Sequence, residues 1–127
     1  MDQNSDDLRM KANYHNSTGT YYGMTSHFDT ATVFFAMALE DYKALDDLER
    51  VSALLNNIAI CQRKVGDFES ALATNLESLK LKEKLGVTGD DLAASYWNLG
   101  NLYSELLDYN ESNIWYCLLY TSDAADE

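Results

Sequence analysis

The side chains that could carry chemistry are few, and they are spaced too widely to act together. His15 and His27 lie 12 residues apart, and neither has a cysteine or a carboxylate at metal-ligand spacing. Cys61 falls on an apolar helical stripe, where a cysteine acts as a small buried hydrophobic residue rather than a nucleophile. No phosphate-binding glycine loop and no G-x-S-x-G motif occurs. We therefore expect surface histidines, no metal, no cofactor and no enzymatic activity.

The charge of the chain restricts its partners. Nine lysines and arginines against 21 aspartates and glutamates give a net charge of −12. This charge repels phosphate backbones and anionic headgroups, so we expect this segment to bind neither nucleic acid nor a membrane. The longest apolar run, 33–39, is too short to cross a bilayer, and the first residues lack the apolar core of a signal peptide. A cytoplasmic location follows as the expectation.

The composition and the apolar spacing predict helices. Proline is absent, only six glycines occur and 46% of the residues are apolar, which disfavours turn-rich sheets and favours an all-α chain. Two helical stripes are clearest in the middle of the chain: Leu54, Leu55, Ile58, Cys61 and Val65, then Phe68, Ala71, Leu72, Leu76 and Leu79. Gly66 and Asp67 between them predict a left-handed helix end followed by an N-cap. Asp90 and Asp91 lack the alternating ladder of a calcium loop and predict the start of a helix.

The same pattern recurs three times, at spacings of 40 and 41 residues. The aligned columns are Gly19, Ala59 and Gly100; Phe28, Phe68 and Tyr109; Ala31, Ala71 and Ser112; and Ala38 with Ser78. Small residues that recur in register indicate close helix–helix approach in each unit, and a repeat of this length indicates stacked supersecondary units. We predict six helices, each antiparallel to the next, over residues 8–25, 28–45, 50–65, 68–85, 91–106 and 109–120.

These columns resemble the tetratricopeptide repeat. The small residue of the family's first helix matches Ala59 and Gly100, the aromatic residue of its turn matches Phe68 and Tyr109, and the alanine of its second helix matches Ala71. The resemblance implies an all-α superhelical solenoid of antiparallel helix pairs. The helix-ending proline of the family is missing, and the period exceeds the usual 34 residues. Units of about 40 residues resemble those of large bacterial regulators.

The resemblance also implies a peptide-binding groove lined by the first helix of each unit. The groove positions that it implies are Asn13, Asn16, Ser17 and Thr20; Asn56, Asn57, Ile60 and Lys64; and Trp97, Asn98, Asn101 and Glu105. Asn57 and Asn98 share a column, so we expect them side by side. An amide donates and accepts, so a row of asparagines can pair with an extended peptide backbone or can be merely solvated. The row lacks the paired lysines or arginines with which some family members hold a carboxylate.

The last residues need separate treatment. Residues 117–127, CLLYTSDAADE, resemble the translation of a transposase-library sequencing adapter, and segments of technical origin are set apart from fold reasoning. The expected organisation is a polar segment 1–9, a repeat region 10–116 with units 10–48, 50–88 and a shortened 91–116, and an adapter-derived segment 117–127. Because a cut repeat leaves an apolar face open, we expect a fragment that is marginally stable or self-associates through its third unit.

The functional prediction is a protein- or peptide-binding repeat module, part of a larger signalling or regulatory protein. Two alternatives for that protein stay open. The repeats resemble input regions of sensor histidine kinases, which are enzymes, and those of helix-turn-helix regulators, which bind DNA through a separate domain.

Overall fold

The computed structural model describes residues 3–126, with side chains described for residues 4–121. Within that range the chain forms six α-helices and no β-strand: α1 (Gln3–Met24), α2 (Phe28–Ala44), α3 (Leu48–Lys64), α4 (Phe68–Lys84), α5 (Asp90–Glu105) and α6 (Tyr109–Asp126). The predicted all-α fold is therefore confirmed. None of the described helices is long and apolar enough to cross a membrane.

The helix ends match the predicted ones within two residues, except at the two ends of the chain. α1 begins at residue 3 rather than 8, because residues 3–9 contain no helix breaker and Asp6 complements the positive end of the helix dipole. α6 continues from residue 120 to 126. The expected segments 1–9 and 117–127 both reach beyond the described residues, and the expected adapter origin of the second stays a prediction.

The helices pack as three antiparallel pairs, α1 with α2, α3 with α4 and α5 with α6, and the pairs stack through α2 against α3 and α4 against α5. We call the pairs repeats one, two and three. The core of the first two repeats consists of Ala12, Ala31, Phe35, Ala38, Tyr42, Val51, Leu54, Leu55, Ile58 and Cys61. Val65 is the exception to the predicted stripe, because it ends α3 and is 49% exposed.

The turn inside each repeat is the same left-handed helix end. Gly66 has a φ of 88°, and Ser26 and Leu107, in the same column, have a φ of 64°. In each case the two amides after the helix bond back to carbonyls of its last turn, as Gly66 N does to Arg63 O at 3.0 Å and the next amide to Gln62 O at 2.9 Å. The predicted left-handed glycine is confirmed at residue 66, and the turn keeps its shape where the sequence has no glycine.

Small residues lie at the helix crossings, as their recurrence predicts. Ala31, Ala71 and Ala38 are fully buried. A Cβ added at Gly19 would lie 2.7 Å from the Phe35 ring, and one at Gly100 would lie 2.5 Å from the Tyr116 ring. Two aromatic rings of the second helices therefore occupy the space that these glycines leave.

Candidate functional site

We call the side of α1, α3 and α5 that carries the predicted groove residues the first-helix surface, and four of those residues line cavities in it: Thr20, Asn56, Asn57 and Ile60. Between α3 and α5 it contains a cavity of about 360 Å³, lined by Asn56 and Asn57. Between α1 and α3 it contains a cavity of about 210 Å³, lined by Thr20, Asn57 and Ile60. Asn57 thus separates two cavities and contributes to both.

The two cavities differ in chemistry. The larger one has polar and charged walls, with Glu49 of α3, Lys82 of α4 and Asp91 of α5 beside the two asparagines. The smaller one has apolar walls, which include Phe35 and Cys61. A ligand that crosses Asn57 would therefore meet a polar cavity on one side and an apolar cavity on the other.

Lys82 is a buried cation in the wall of the larger cavity. Only 7% of the residue is exposed, and its Nζ donates to Ser95 Oγ at 3.0 Å and to the carbonyl oxygen of Asp91 at 3.4 Å. Burial lowers the pKa of Lys82, and the nearby Asp91 carboxylate partly opposes this effect. The sequence pattern did not single out Lys82 as a site residue. A signal for its burial was present, since it lies three residues after the core residue Leu79.

The asparagines differ in how much of their hydrogen-bonding capacity is already used. Asn98 Nδ2 donates to Asn56 Oδ1 at 3.1 Å, which joins α3 to α5. The neighbour that Asn98 contacts is thus Asn56, one residue before the expected Asn57. The Tyr116 hydroxyl donates to Asn101 Oδ1 at 2.5 Å, and the Tyr42 hydroxyl donates to Asn13 Oδ1. These amides have fewer positions left for a ligand than sequence analysis assumed.

Two of the asparagines keep their side-chain amides unpaired. Neither Asn16 nor Asn57 makes a side-chain hydrogen bond within the described part of the chain, and both are half-buried. Lys64 is exposed at the end of α3, with no ion pair among the described side chains. Asn16 and Lys64 line neither of the two cavities.

An aromatic pair extends the surface onto repeat three. Trp97 is 53% exposed, and its ring centroid lies 5.7 Å from that of Tyr116. Glu105, farther along α5, accepts from Arg63 Nε of α3 at 2.8 Å, which links the two first helices. Trp97 thus keeps about half of its surface exposed and directly precedes Asn98 in the sequence.

The expectation of two surface histidines is wrong for His15. Its side chain is 13% exposed, and Nδ1 lies 2.9 Å from Oδ2 of Asp41, whose side chain is 10% exposed. The pair joins α1 to α2, and the Phe34 ring lies 6.3 Å from the imidazole. His27, in contrast, is exposed in its turn. Side chains of α2 thus cover His15. The spacing of residues along α1 alone could not predict this burial.

Other reactive groups lie apart from one another. Among the described side chains, no three histidines, cysteines or acids are close enough to hold a metal ion. Cys61 is buried and Cys117 is exposed, and neither forms a disulfide. Burial raises the pKa of the Cys61 thiol, with a smaller opposite effect of its hydrogen bond with Thr32, so the thiol stays protonated and unreactive at neutral pH.

A family comparison matches this geometry. The tetratricopeptide repeat profile matches residues 49–121, which include repeat two except its first residue, all of α5 and most of α6. The chain belongs to the tetratricopeptide repeat family. Comparison with curated proteins gives no significant sequence match.

Solved structures support the same fold. The chain is similar to the tetratricopeptide repeat domain of Arabidopsis FLU, with a TM-score of 0.84 and 16% identity over 90% of this chain and 95% of that one. It is similar to BtubC from P. vanneervenii, with a TM-score of 0.81, 20% identity, and coverage of 90% and 47%. It is also similar to the TPR2AB domain of yeast Sti1 in complex with pHSP90, with a TM-score of 0.73, 21% identity, and coverage of 87% and 40%. This chain thus spans less than half of the length of the last two structures.

Proposed function

We propose that the first-helix surface binds an extended peptide segment of a partner protein, with Asn57 at the centre of the site. The observation that carries this proposal is the position of Asn57. It lies between the two cavities, and its side-chain amide has no hydrogen-bond partner within the described residues. A peptide that crosses Asn57 satisfies this amide with its own backbone and places alternate side chains, which point to the same face of an extended chain, in the cavities on either side.

The chemistry of the surface favours this ligand. An asparagine amide donates and accepts at once, as a peptide bond does, so it can pair with a backbone whatever the side chains are. The Asn56–Asn98 pair continues the row of amides onto α5, and Trp97 offers an exposed ring for an apolar side chain. The larger cavity, with Glu49, Asp91 and Lys82 in its walls, suits a polar side chain.

The comparison with Sti1 supports a protein partner for this fold, because the TPR2AB domain of that protein was solved in complex with pHSP90. An identity of 21% supports a similar fold but does not indicate that the ligand is the same. The residues of the first-helix surface are therefore the basis for the ligand class proposed here.

The test uses peptides selected against the whole chain from a random-peptide phage library, with affinities measured by fluorescence anisotropy. Asn57→Ala is expected to weaken binding about fivefold to 150-fold, because a peptide group left unpaired in the complex costs about 1–3 kcal/mol. Asn57→Ala with Asn98→Ala is expected to weaken it further, with unchanged helicity by circular dichroism. Asn110→Ala is the matched control, since Asn110 is exposed on α6, away from the first-helix surface.

Equal affinities of the Asn57→Ala variant and the parent chain would mean that the amide is solvated rather than bound, and the proposal would be abandoned. The same holds if Asn110→Ala weakens binding as much as Asn57→Ala does.

We further propose that these repeats serve a larger signalling or regulatory protein in a bacterial cytoplasm. The support is the resemblance of the 40- and 41-residue periods to those of bacterial regulators. The candidate outputs are a sensor histidine kinase and a helix-turn-helix regulator.

Genomic sequence read through the codon of Tyr116 tests this proposal together with the expected adapter origin of residues 117–127. A kinase or helix-turn-helix domain in the same reading frame would support it, and a reading frame with neither would overturn it.

A further inference from the structure

A second groove lies on the other side of repeat two. Its floor consists of Leu48, Val51 and Leu55 of α3 and Leu81 of α4, and it encloses a volume of about 550 Å³. Successive residues of a helix are turned by about 100°, which places residues 48, 51 and 55 nearly opposite residues 56, 57 and 60. The groove is therefore separate from the first-helix surface, and we call it the outer groove.

Lysines surround this apolar floor. Lys43, Lys80 and Lys84 line the outer groove, and Glu77 is the one acid among its lining residues. Lys80 and Lys84 are exposed and form no ion pair among the described side chains, while Lys43 has only a long contact, 3.9 Å, with Glu40. Three of the chain's nine lysines and arginines thus surround one groove in a chain of net charge −12.

The shape of the outer groove suits a rod rather than a plane. Its two walls are antiparallel stripes, residues 48–55 of α3 and residues 77–84 of α4. Each stripe covers seven helical steps, or about 10 Å. Val51 and Leu55 are 3% and 4% exposed and lie at the bottom, where a flat membrane surface would not reach them. Side chains that project from a helix can enter such a groove.

We propose that the outer groove binds an amphipathic α-helix of a partner protein, about two to three turns long, whose apolar stripe is flanked by aspartates and glutamates. Its apolar side chains occupy the floor between α3 and α4. Its carboxylates pair with Lys43, Lys80 and Lys84, which gives the groove a charge preference opposite to that of the remaining surface. The site accepts a helix, whereas the first-helix surface accepts an extended peptide, so the two can be occupied together.

The experiment uses the whole chain and two synthetic acetylated peptides. Both carry leucines at positions i, i+3, i+4 and i+7. In one the leucine stripe is flanked by glutamates, and in the other by lysines. Binding is measured by isothermal titration calorimetry at low and at high salt, and the contact is located by photo-crosslinking from a benzophenone in the leucine stripe. Vesicles of phosphatidylserine and phosphatidylcholine form a separate arm.

The acidic peptide is expected to bind, to crosslink to residues 48–55 or 77–84, and to bind more weakly at high salt. Lys80→Glu and Lys84→Glu are each expected to weaken it about fivefold, since an exposed ion pair becomes a repulsion. Lys11→Glu makes the same charge change at an exposed position of α1 and is expected to leave the affinity unchanged. Asn57→Ala is expected to have no effect here, which separates this test from that of the first-helix surface.

Four results would overturn the proposal. They are no binding of the acidic peptide, equal binding of the basic peptide, equal affinities of Lys80→Glu and Lys11→Glu, and binding of the anionic vesicles in place of the peptide.

Discussion

Lys82 shows how a single side chain takes its role from the neighbouring repeat. Its Nζ reaches Ser95 Oγ and the Asp91 carbonyl of α5, so one cation joins α4 to α5. Neither acceptor is a carboxylate group, which leaves the charge only partly compensated in a buried position. Ser95 Oγ also donates to the Asp91 carbonyl at 3.4 Å, so the serine keeps a partner without the lysine. The burial of Lys82 in the cavity wall therefore lowers the stability of the fold.

Lys82→Met is expected to raise the free energy of unfolding by about 1 kcal/mol at pH 7, because it removes a buried charge and keeps the volume. The lowered pKa fixes the pH dependence. Between that lowered pKa and the ordinary value of 10.5, the unfolded parent chain binds more protons than the folded chain, so its stability rises with pH. The difference in free energy of unfolding between Lys82→Met and the parent chain should therefore shrink as the pH approaches 10.5.

Urea denaturation over a pH series measures this difference. Lys84→Met is the control, because Lys84 is exposed and its replacement should change the free energy of unfolding little. A Lys82→Met variant less stable than the parent at every pH would show that the hydrogen bonds outweigh the buried charge.

Helix pairs meet through a small residue on one helix and a larger one on the other. Gly19 faces the Phe35 ring, and Gly100 faces the Tyr116 ring. In repeat two the corresponding column holds Ala59, and the ring column holds Asn75, which is 1% exposed. Both side-chain polar atoms of Asn75 lack a hydrogen-bond partner. In repeat two, alanine replaces the glycine of the first column, and the smaller asparagine replaces the aromatic residue of the second. The two columns thus compensate each other in volume at the crossing.

Gly19→Ala is expected to lower the free energy of unfolding by about 1–2 kcal/mol, because its Cβ would displace a buried aromatic ring. Gly23→Ala, on the same helix, is the matched control, since the nearest atom to its Cβ lies 4.0 Å away. Alanine there should stabilise the helix by about 0.5 kcal/mol. Thermal melting followed by circular dichroism compares the two. Equal melting temperatures would contradict the close approach of α1 and α2.

At the level of the whole molecule, the stacked repeats end in a helix with an exposed apolar side. α6 packs against α5, while Ile114 and Leu118, which lie about 40° apart around the helix, are 52% and 41% exposed. In a solenoid, each repeat covers the face of its neighbour, so such a face tends to find another chain. The chain therefore combines a strong negative charge with an exposed apolar side of α6 that favours association.

We expect this chain to self-associate through α6, with a sedimentation coefficient that rises with protein concentration. Leu118→Glu should shift it toward the monomer, because a charge on the apolar side of α6 would be buried in the contact. Met24→Glu is the control, since Met24 is 82% exposed at the far end of α1. The expectation would be contradicted if the sedimentation coefficient of the parent chain did not change with protein concentration.

The sequence alone determined the helices, their pairing and most of the crossings. Helix ends depend on the periodicity of apolar residues and on local breaks, both of which lie within a few residues of each other. The recurrence of small residues at 40 and 41 positions marked Ala31, Ala71 and Ser112 as crossing points, and all three are buried. Gly66 and Asp67 likewise predicted the turn between α3 and α4.

Only the tertiary structure decided which polar groups meet. Asn98 pairs with Asn56, 42 positions away, and His15 with Asp41, 26 positions away. The helical period fixes the face on which a side chain lies, but its partner depends on how far the neighbouring helix is rotated and shifted along its axis. A shift of one residue turns a helix by about 100°, enough to exchange Asn56 for Asn57 at the contact. The outer groove has the same origin, because Lys43 comes from α2 of repeat one and Lys80 and Lys84 come from α4 of repeat two.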